Sequence, residues 1–248
     1  MALVPVASDV TDVLFTDWSF RASSCMSDFR LAVCASGGGT NMQALIDATE
    51  SGAVPGTVVG CLTDRPTAGA LDRAAAHDIP TAVVAPSDYD SPTAFGAALC
   101  DVLAAWDTSF VALAGYLKKI PPVVLQAYPN RITNIHPSLL PAFGGSGMYG
   151  MRVHEAVLDY GAHWTGVTVH LVNEAYDEGP IVAQQPVPVL PDDTPASLQQ
   201  RVLAVEHDLY PTVIRHFARG TVSVNGRHVT LNGSSASHRP PTSHANPN

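Results

Sequence analysis

Charge is scarce in this chain: Asp, Glu, Lys and Arg make up 14% of its 248 residues. Positive charge is the scarcer sign, with 13 Lys and Arg against 22 Asp and Glu and a net charge of −9. No cluster of Lys and Arg stands out, which argues against a nucleic-acid partner, because phosphate backbones are held by such clusters. An anionic ligand must instead be caught locally, by backbone N–H groups and a few side chains, against an unfavourable long-range field. Cysteine is also rare. Cys25, Cys34, Cys61 and Cys100 are widely spaced in apolar or strand-like surroundings, a pattern of neither a disulfide framework nor a zinc site. No set of His, Cys, Asp and Glu has metal-ligand spacing. No apolar run reaches the ~18 residues of a membrane span, and the N-terminus lacks a basic region followed by a long apolar one. The expectation is a soluble, cytoplasmic protein with reduced thiols, no metal and no membrane partner.

What is present suits a loop-rich enzyme with one sizeable core: 46% hydrophobic residues, 19 Gly and 20 Pro. Residues 1–28 show no clean periodicity and read as an N-terminal extension. One domain is expected over 29–232. Residues 233–248, rich in Ser, His, Pro and Asn, read as a disordered tail.

Within the domain, short apolar runs alternate with segments of helical spacing. Arg30-Leu31-Ala32-Val33-Cys34-Ala35 reads as a buried strand closed by the tight turn Ser36-Gly37-Gly38-Gly39-Thr40-Asn41. A helix over Met42–Thr49 and a strand over Thr57–Leu62 follow. The alternation continues with a helix near Ala68–His77, a strand near Thr81–Val84, a helix near Pro92–Trp106 and a strand at Phe110–Ala114. Such alternation implies an α/β fold, a mostly parallel sheet with helices on both faces and ligands bound beyond the carboxyl ends of the strands. Further on, Phe143 to Gly150 is too glycine-rich for a fixed element and is a candidate mobile lid before a helix near Val153–Tyr160. Strands at Gly166–Val172 and Ile181–Val189, a long helix capped by Thr194 and reaching about Ala218, and a hairpin around Asn225-Gly226 complete the reading.

Two stretches carry chemistry. Asn134-Ile135-His136-Pro137-Ser138-Leu139-Leu140-Pro141 places Asn134 and His136 two residues apart, so both side chains leave the same face of an extended segment. His170 and Tyr176-Asp177-Glu178-Gly179-Pro180 then bring a second imidazole and a carboxylate. An amide donor, a proton-carrying imidazole and a carboxylate to orient it are the parts needed to pass an acyl group to an amine. With Asp177 near His136 in space, the imidazolium form is favoured and its pKa raised. Each residue has a plainer reading beside this one. His136 and His170 could be hydrogen-bonded core residues, and Asp177 before Gly and Pro could be ordinary turn chemistry. The glycine turn could cradle a phosphate at a helix N-terminus or be only a tight turn; it lacks the Gly-Lys-Ser/Thr ending of a P-loop.

Taken together, the glycine turn, the Asn134–Pro141 string and His170 with Asp177-Glu178-Gly179-Pro180 resemble the phosphoribosylglycinamide formyltransferase family of purine synthesis, over about residues 29–220. The resemblance implies a Rossmann-like formyltransferase fold with antiparallel strands added toward the C-terminal end. It also makes 29–232 a catalytic domain that moves the formyl group of 10-formyltetrahydrofolate to the amine of glycinamide ribonucleotide. By the same resemblance Asn134, His136 and Asp177 are catalytic, with Thr168 and His170 supporting them. Gly38, Gly39, Thr40 and Asn41 hold the substrate phosphate and Glu206 the ribose hydroxyls. Leu117, Lys118, Lys119, Ile120, Asn134, Val172, Asn173 and Glu174 meet the folate, and the Leu140–Pro141 bond is cis. Lys118 stands where many relatives carry Arg, Pro92 where some place a basic residue, and Leu203 where some use a polar one. The partners implied are these small molecules, with the protein a monomer or homodimer. A formyltetrahydrofolate hydrolase would use similar residues but not need the phosphate cradle; a non-catalytic folate-binding protein would not need the trio.

Overall fold

Each central strand alternates its side chains between two cores, and that alternation defines the architecture. In the computed structural model, which describes residues 29–233, β1 (Arg30–Cys34) sends Leu31 and Val33 to one core and Ala32 and Cys34 to the other. A sheet buried on both faces needs apolar residues at every position, which the Leu-Ala-Val-Cys run supplies. The expected N-terminal extension and all of the expected tail except Gly233 lie outside the described residues.

Seven strands form one sheet in the order β3-β2-β1-β4-β5-β6-β7. β2 is Thr57–Thr63, β3 Thr81–Val83, β4 Phe110–Leu113, β5 Ile132–His136, β6 Trp164–Leu171 and β7 Ile181–Pro188. β1 to β5 are mutually parallel, while β6 is antiparallel to both β5 and β7. The order reverses between β1 and β4, which is where a crevice opens at the carboxyl ends of such a sheet.

Helices cover both faces. α1 (Thr40–Glu50), α2 (Gly69–Ala76), α5 (Met151–Tyr160) and α6 (Pro195–Ala218) supply the first core, with Met42, Ala70, Val153 and Tyr210 among their buried residues. α3 (Pro92–Ala105) and α4 (Pro122–Ala127) supply the second through Leu99 and Val124. Caps fix the boundaries: the Ser91 side chain accepts from Ala94 N–H at the start of α3, and Thr194 and Ser197 form a reciprocal capping box at the start of α6. The expected hairpin is present as β8 (Val222–Asn225) and β9 (His228–Leu231). α4 was not foreseen. It begins on Pro121-Pro122, with Pro122 at the first helical position, and is only 6 residues long. No helix among the described residues is long and apolar enough to cross a membrane.

Candidate active site

The register of β5 against β6 puts four polar side chains on one face. Asn134 lies directly opposite His170, and His136 opposite Thr168. Directly opposed residues in an antiparallel pair point the same way, so the period of two within β5 becomes a two-by-two patch. Asn134, His136 and His170, but not Thr168, line a cavity of about 680 Å³.

Carbonyl partners determine where the ring protons sit. His136 Nε2 is 2.9 Å from Phe143 O, and His170 Nδ1 is 2.9 Å from Leu171 O. A carbonyl only accepts, so both nitrogens carry hydrogen. His170 Nε2 is then free to accept from the Asn134 amide, 3.1 Å away, leaving the second amide hydrogen uncommitted beside the cavity. Thr168 makes the bend after β5 rigid: its hydroxyl donates to Ser138 O at 2.7 Å and accepts from Leu140 N–H at 3.0 Å and Gln184 Nε2 at 2.9 Å. The Leu140–Pro141 bond is cis, as expected.

Asp177 arrives from the loop between β6 and β7. Its Oδ2 is 3.6 Å from His136 Nδ1 and its Oδ1 3.6 Å from His170 Nε2, both beyond a direct hydrogen bond, while Oδ2 accepts from Gly145 N–H at 2.8 Å. Two glycines permit this approach. A Cβ on Gly179 would meet Leu171 O at 1.7 Å, and one on Gly144 would meet Leu140 Cδ2 at 2.4 Å and Asp177 Cβ at 3.3 Å. Burial pushes the Asp177 carboxyl up, but the neighbouring His170 and His136 rings and the Gly145 N–H together bring it below its ordinary value.

His136 departs from expectation. Burial lowers its pKa and outweighs the opposing effect of Asp177 and of the Phe143 carbonyl, because the ring is only 3% exposed. The resting pair is therefore a neutral imidazole beside an ionised carboxylate. His154, on α5, was missed in the sequence although it is buried; its Nδ1 has no partner, and burial with the nearby His136 charge takes its pKa down to about 4. Its position among apolar residues of an amphipathic helix was the available signal.

At the other end of the cavity the glycine turn leads into α1. Gly39 is the N-cap, with φ +72° and no side-chain cap, so the first N–H groups of α1 lack intrahelical partners. A Cβ on Gly39 would lie 2.8 Å from the Ala70 Cα, whereas Gly37 and Gly38 face open space. Gly37 and Gly38 line the cavity, whereas Gly39, Thr40, Asn41 and Glu206 do not. Asn41 Nδ2 donates to Glu206 Oε2 at 2.7 Å, and burial raises the Glu206 pKa to about 7 despite that bond.

Leu117, Lys118, Lys119, Ile120, Val172 and Asn173 also line the cavity, while Glu174 does not. Lys118 Nζ and Arg65 Nε each lie 3.4 Å from Asp64 Oδ2. Arg65, Tyr149 and Tyr176 were not foreseen as lining residues; they stand in loops that only the fold gathers. Among the described residues no group of three or more His, Cys, Asp and Glu could hold a metal ion.

The model of the formyl transferase family matches residues 29–214. The chain belongs to that family. It is 47% identical over 190 residues to the chloroplastic phosphoribosylglycinamide formyltransferase of Arabidopsis thaliana, covering 75% of this chain and 64% of that one. The chain thus spans just under two thirds of that plant relative's length. The phosphoribosylglycinamide formyltransferase of Bacillus subtilis is 37% identical, with 75% of this chain and 93% of the relative covered. Among solved structures, glycinamide ribonucleotide transformylase 1 from Symbiobacterium toebii superposes with a TM-score of 0.78 at 43% identity, over 82% of this chain and 93% of that one. Within the formyl transferase family this chain therefore stands with the phosphoribosylglycinamide formyltransferases, and its sheet is theirs.

Proposed function

We propose that the protein transfers the formyl group of 10-formyltetrahydrofolate to the amine of glycinamide ribonucleotide, a step of purine synthesis. The observation that carries this reading is the patch itself: an amide donor, an imidazole and an ionised carboxylate converge within one cavity whose other end is a glycine turn at a helix N-terminus. The first half suits acyl transfer and the second suits a phosphate.

The substrate amine attacks the formyl carbon. A C–N bond forms, the carbonyl oxygen takes negative charge, the bond to N10 then breaks, and the proton lost by the amine ends on N10. Asn134 donates its uncommitted amide hydrogen to that oxygen. Asp177 is ionised and receives the departing amine proton, directly or through water. His136 takes that proton from Asp177 at Nδ1, so that the imidazolium, stabilised by the carboxylate 3.6 Å away, adds a second donor before the proton passes on to N10. A distance of this size in a free site is expected to shorten around a reacting ligand. No covalent enzyme intermediate is needed, because the substrate brings its own nucleophile.

The folate is placed over Leu117 to Ile120, Val172 and Asn173, and Glu206 supports the ribose end from behind Asn41. Free thiols at Cys34, Cys61 and Cys100 suit a reducing compartment, and we place the protein in the cytoplasm. Release of tetrahydrofolate by the purified protein, followed with and without glycinamide ribonucleotide, tests the reading. Turnover is expected only with the amine. Equal loss of the folate without it would instead identify a hydrolase, and tight folate binding with no turnover a binding protein.

A further inference from the structure

The hairpin β8–β9 lies beyond the part of the chain that the formyl transferase model matches. It is not a loose appendage. Val224, Val229 and Leu231 pack against the main core, and β9 runs beside β7 at the edge of the sheet. From its turn, Arg227 Nη1 donates to Glu178 O at 2.9 Å, a contact between residues 49 apart in sequence. Glu178 is the neighbour of Asp177.

The loop that carries Asp177 is held under constraint. Asp177 has φ +57°, a left-handed conformation that non-glycine residues rarely adopt and that persists when surrounding contacts impose it. On the cavity side Gly145 N–H binds the Asp177 carboxylate. At the strand end Leu171 N–H donates to Pro180 O at 2.8 Å, and Gly179 abuts Leu171 O. The guanidinium holds the carbonyl of the Glu178–Gly179 peptide, and so fixes the plane from which the chain turns back to Asp177.

We propose that Arg227 is a positioning residue: through the Glu178 carbonyl, the C-terminal hairpin sets the approach of the Asp177 carboxylate to His136 and His170. This inference rests on Asp177 taking part in the proposed reaction, which Asp177→Asn tests separately. Arg227 is itself exposed and does not line the cavity, so its effect travels through the loop backbone.

The test is Arg227→Gln in the full chain, with Arg227→Lys as the conservative variant. Three quantities are read: kcat with both KM values, the pH profile of kcat, and deuterium exchange of the peptide covering residues 173–180. The titratable groups facing Asp177 are His136 from β5 and His170 from β6, with the Gly145 amide from the glycine-rich loop. If Arg227→Gln lets the carboxylate drift from these partners, its pKa rises and the acid limb of kcat moves to higher pH. The expected result is an about three- to tenfold fall in kcat at unchanged KM, since small misplacements of a reacting group are costly. Exchange should quicken in 173–180 alone, with partial recovery in Arg227→Lys. Unchanged kcat overturns the proposal, whether or not the loop exchanges faster. So does a general rise in exchange across the sheet, which would show a merely structural role. Full activity in Asp177→Asn would remove the reading beneath it, whereas a crippled Asp177→Asn beside an unaffected Arg227→Gln would remove only this inference.

Discussion

The two ends of the cavity are built on opposite principles. On the β5–β6 face, side chains do the work, and their directions come from strand register: Asn134 against His170, His136 against Thr168. At the glycine turn, side chains are absent. Gly39 takes φ +72° against the Ala70 backbone so that helix N–H groups are left bare. Developing charge on a reacting oxygen needs donors at fixed points, and a sheet holds such points well. A phosphate needs close backbone approach, which any Cβ would obstruct. Substitutions should therefore hurt the first region by removing atoms and the second by adding them.

The largest effect is expected on the strand face. Asn134→Ala removes the proposed donor to the formyl oxygen and should lower kcat by about 10²–10³ with little change in KM for the ribonucleotide. Steady-state kinetics with both substrates varied gives that split, and a rise in KM alone would move Asn134 from the reaction to binding.

Glu206, behind the glycine turn, should show itself through pH. Its pKa is raised from 4.5 to about 7, so between those values the folded protein holds a proton that the unfolded chain has lost. Stability from this group therefore falls as pH rises from about 4.5 to 7 and stays low above that. Glu206→Gln should remove this slope and gain on the parent by on the order of 3 kcal/mol above pH 7. Urea unfolding of both proteins at pH 5 and pH 8 checks it, and an equal difference at the two pH values would contradict it. The lowered pKa of His154, about 4, works in the reverse sense. Its neutral form is favoured by folding, so acidification below about 6.5 weakens the parent and the variant alike and cancels from the comparison.

Gly39→Ala comes next. The new methyl would sit 2.8 Å from a backbone atom at a positive φ, so stability should fall by about 2 kcal/mol and KM for the ribonucleotide should rise while kcat holds. A matched loss in kcat would mean that the two regions are not separable. The smallest effect is a control outside both: Thr194→Ala removes the cap of α6 and should cost about 1 kcal/mol in thermal or urea unfolding, with kinetics unchanged.

The same contrast explains what could be read before the fold was known. Asn134 and His136 declare themselves because a spacing of two in a strand is a statement about direction. The Leu-Ala-Val-Cys run and the glycine turn likewise yield β1, α1 and the crevice. Asp177 is different. Its meeting with His136 depends on Gly144 and Gly179 admitting a close approach, and no spacing encodes that. Arg65 and Tyr149 enter the cavity from loops whose paths follow from the sheet order. α4 was missed because six residues opened by two prolines resemble a loop. The expected rise in the His136 pKa failed for one reason: a nearby carboxylate is visible in sequence, but depth of burial is not, and here burial prevails.

The central claim is that His136 and Asp177 act as one unit in formyl transfer. A double-mutant cycle tests it most directly, with kcat measured for the parent, His136→Ala, Asp177→Asn and the double variant. Residues that act together lose their function once, so the double variant should be scarcely slower than the worse single variant. Losses that multiply in full would contradict the claim and assign the two residues independent roles.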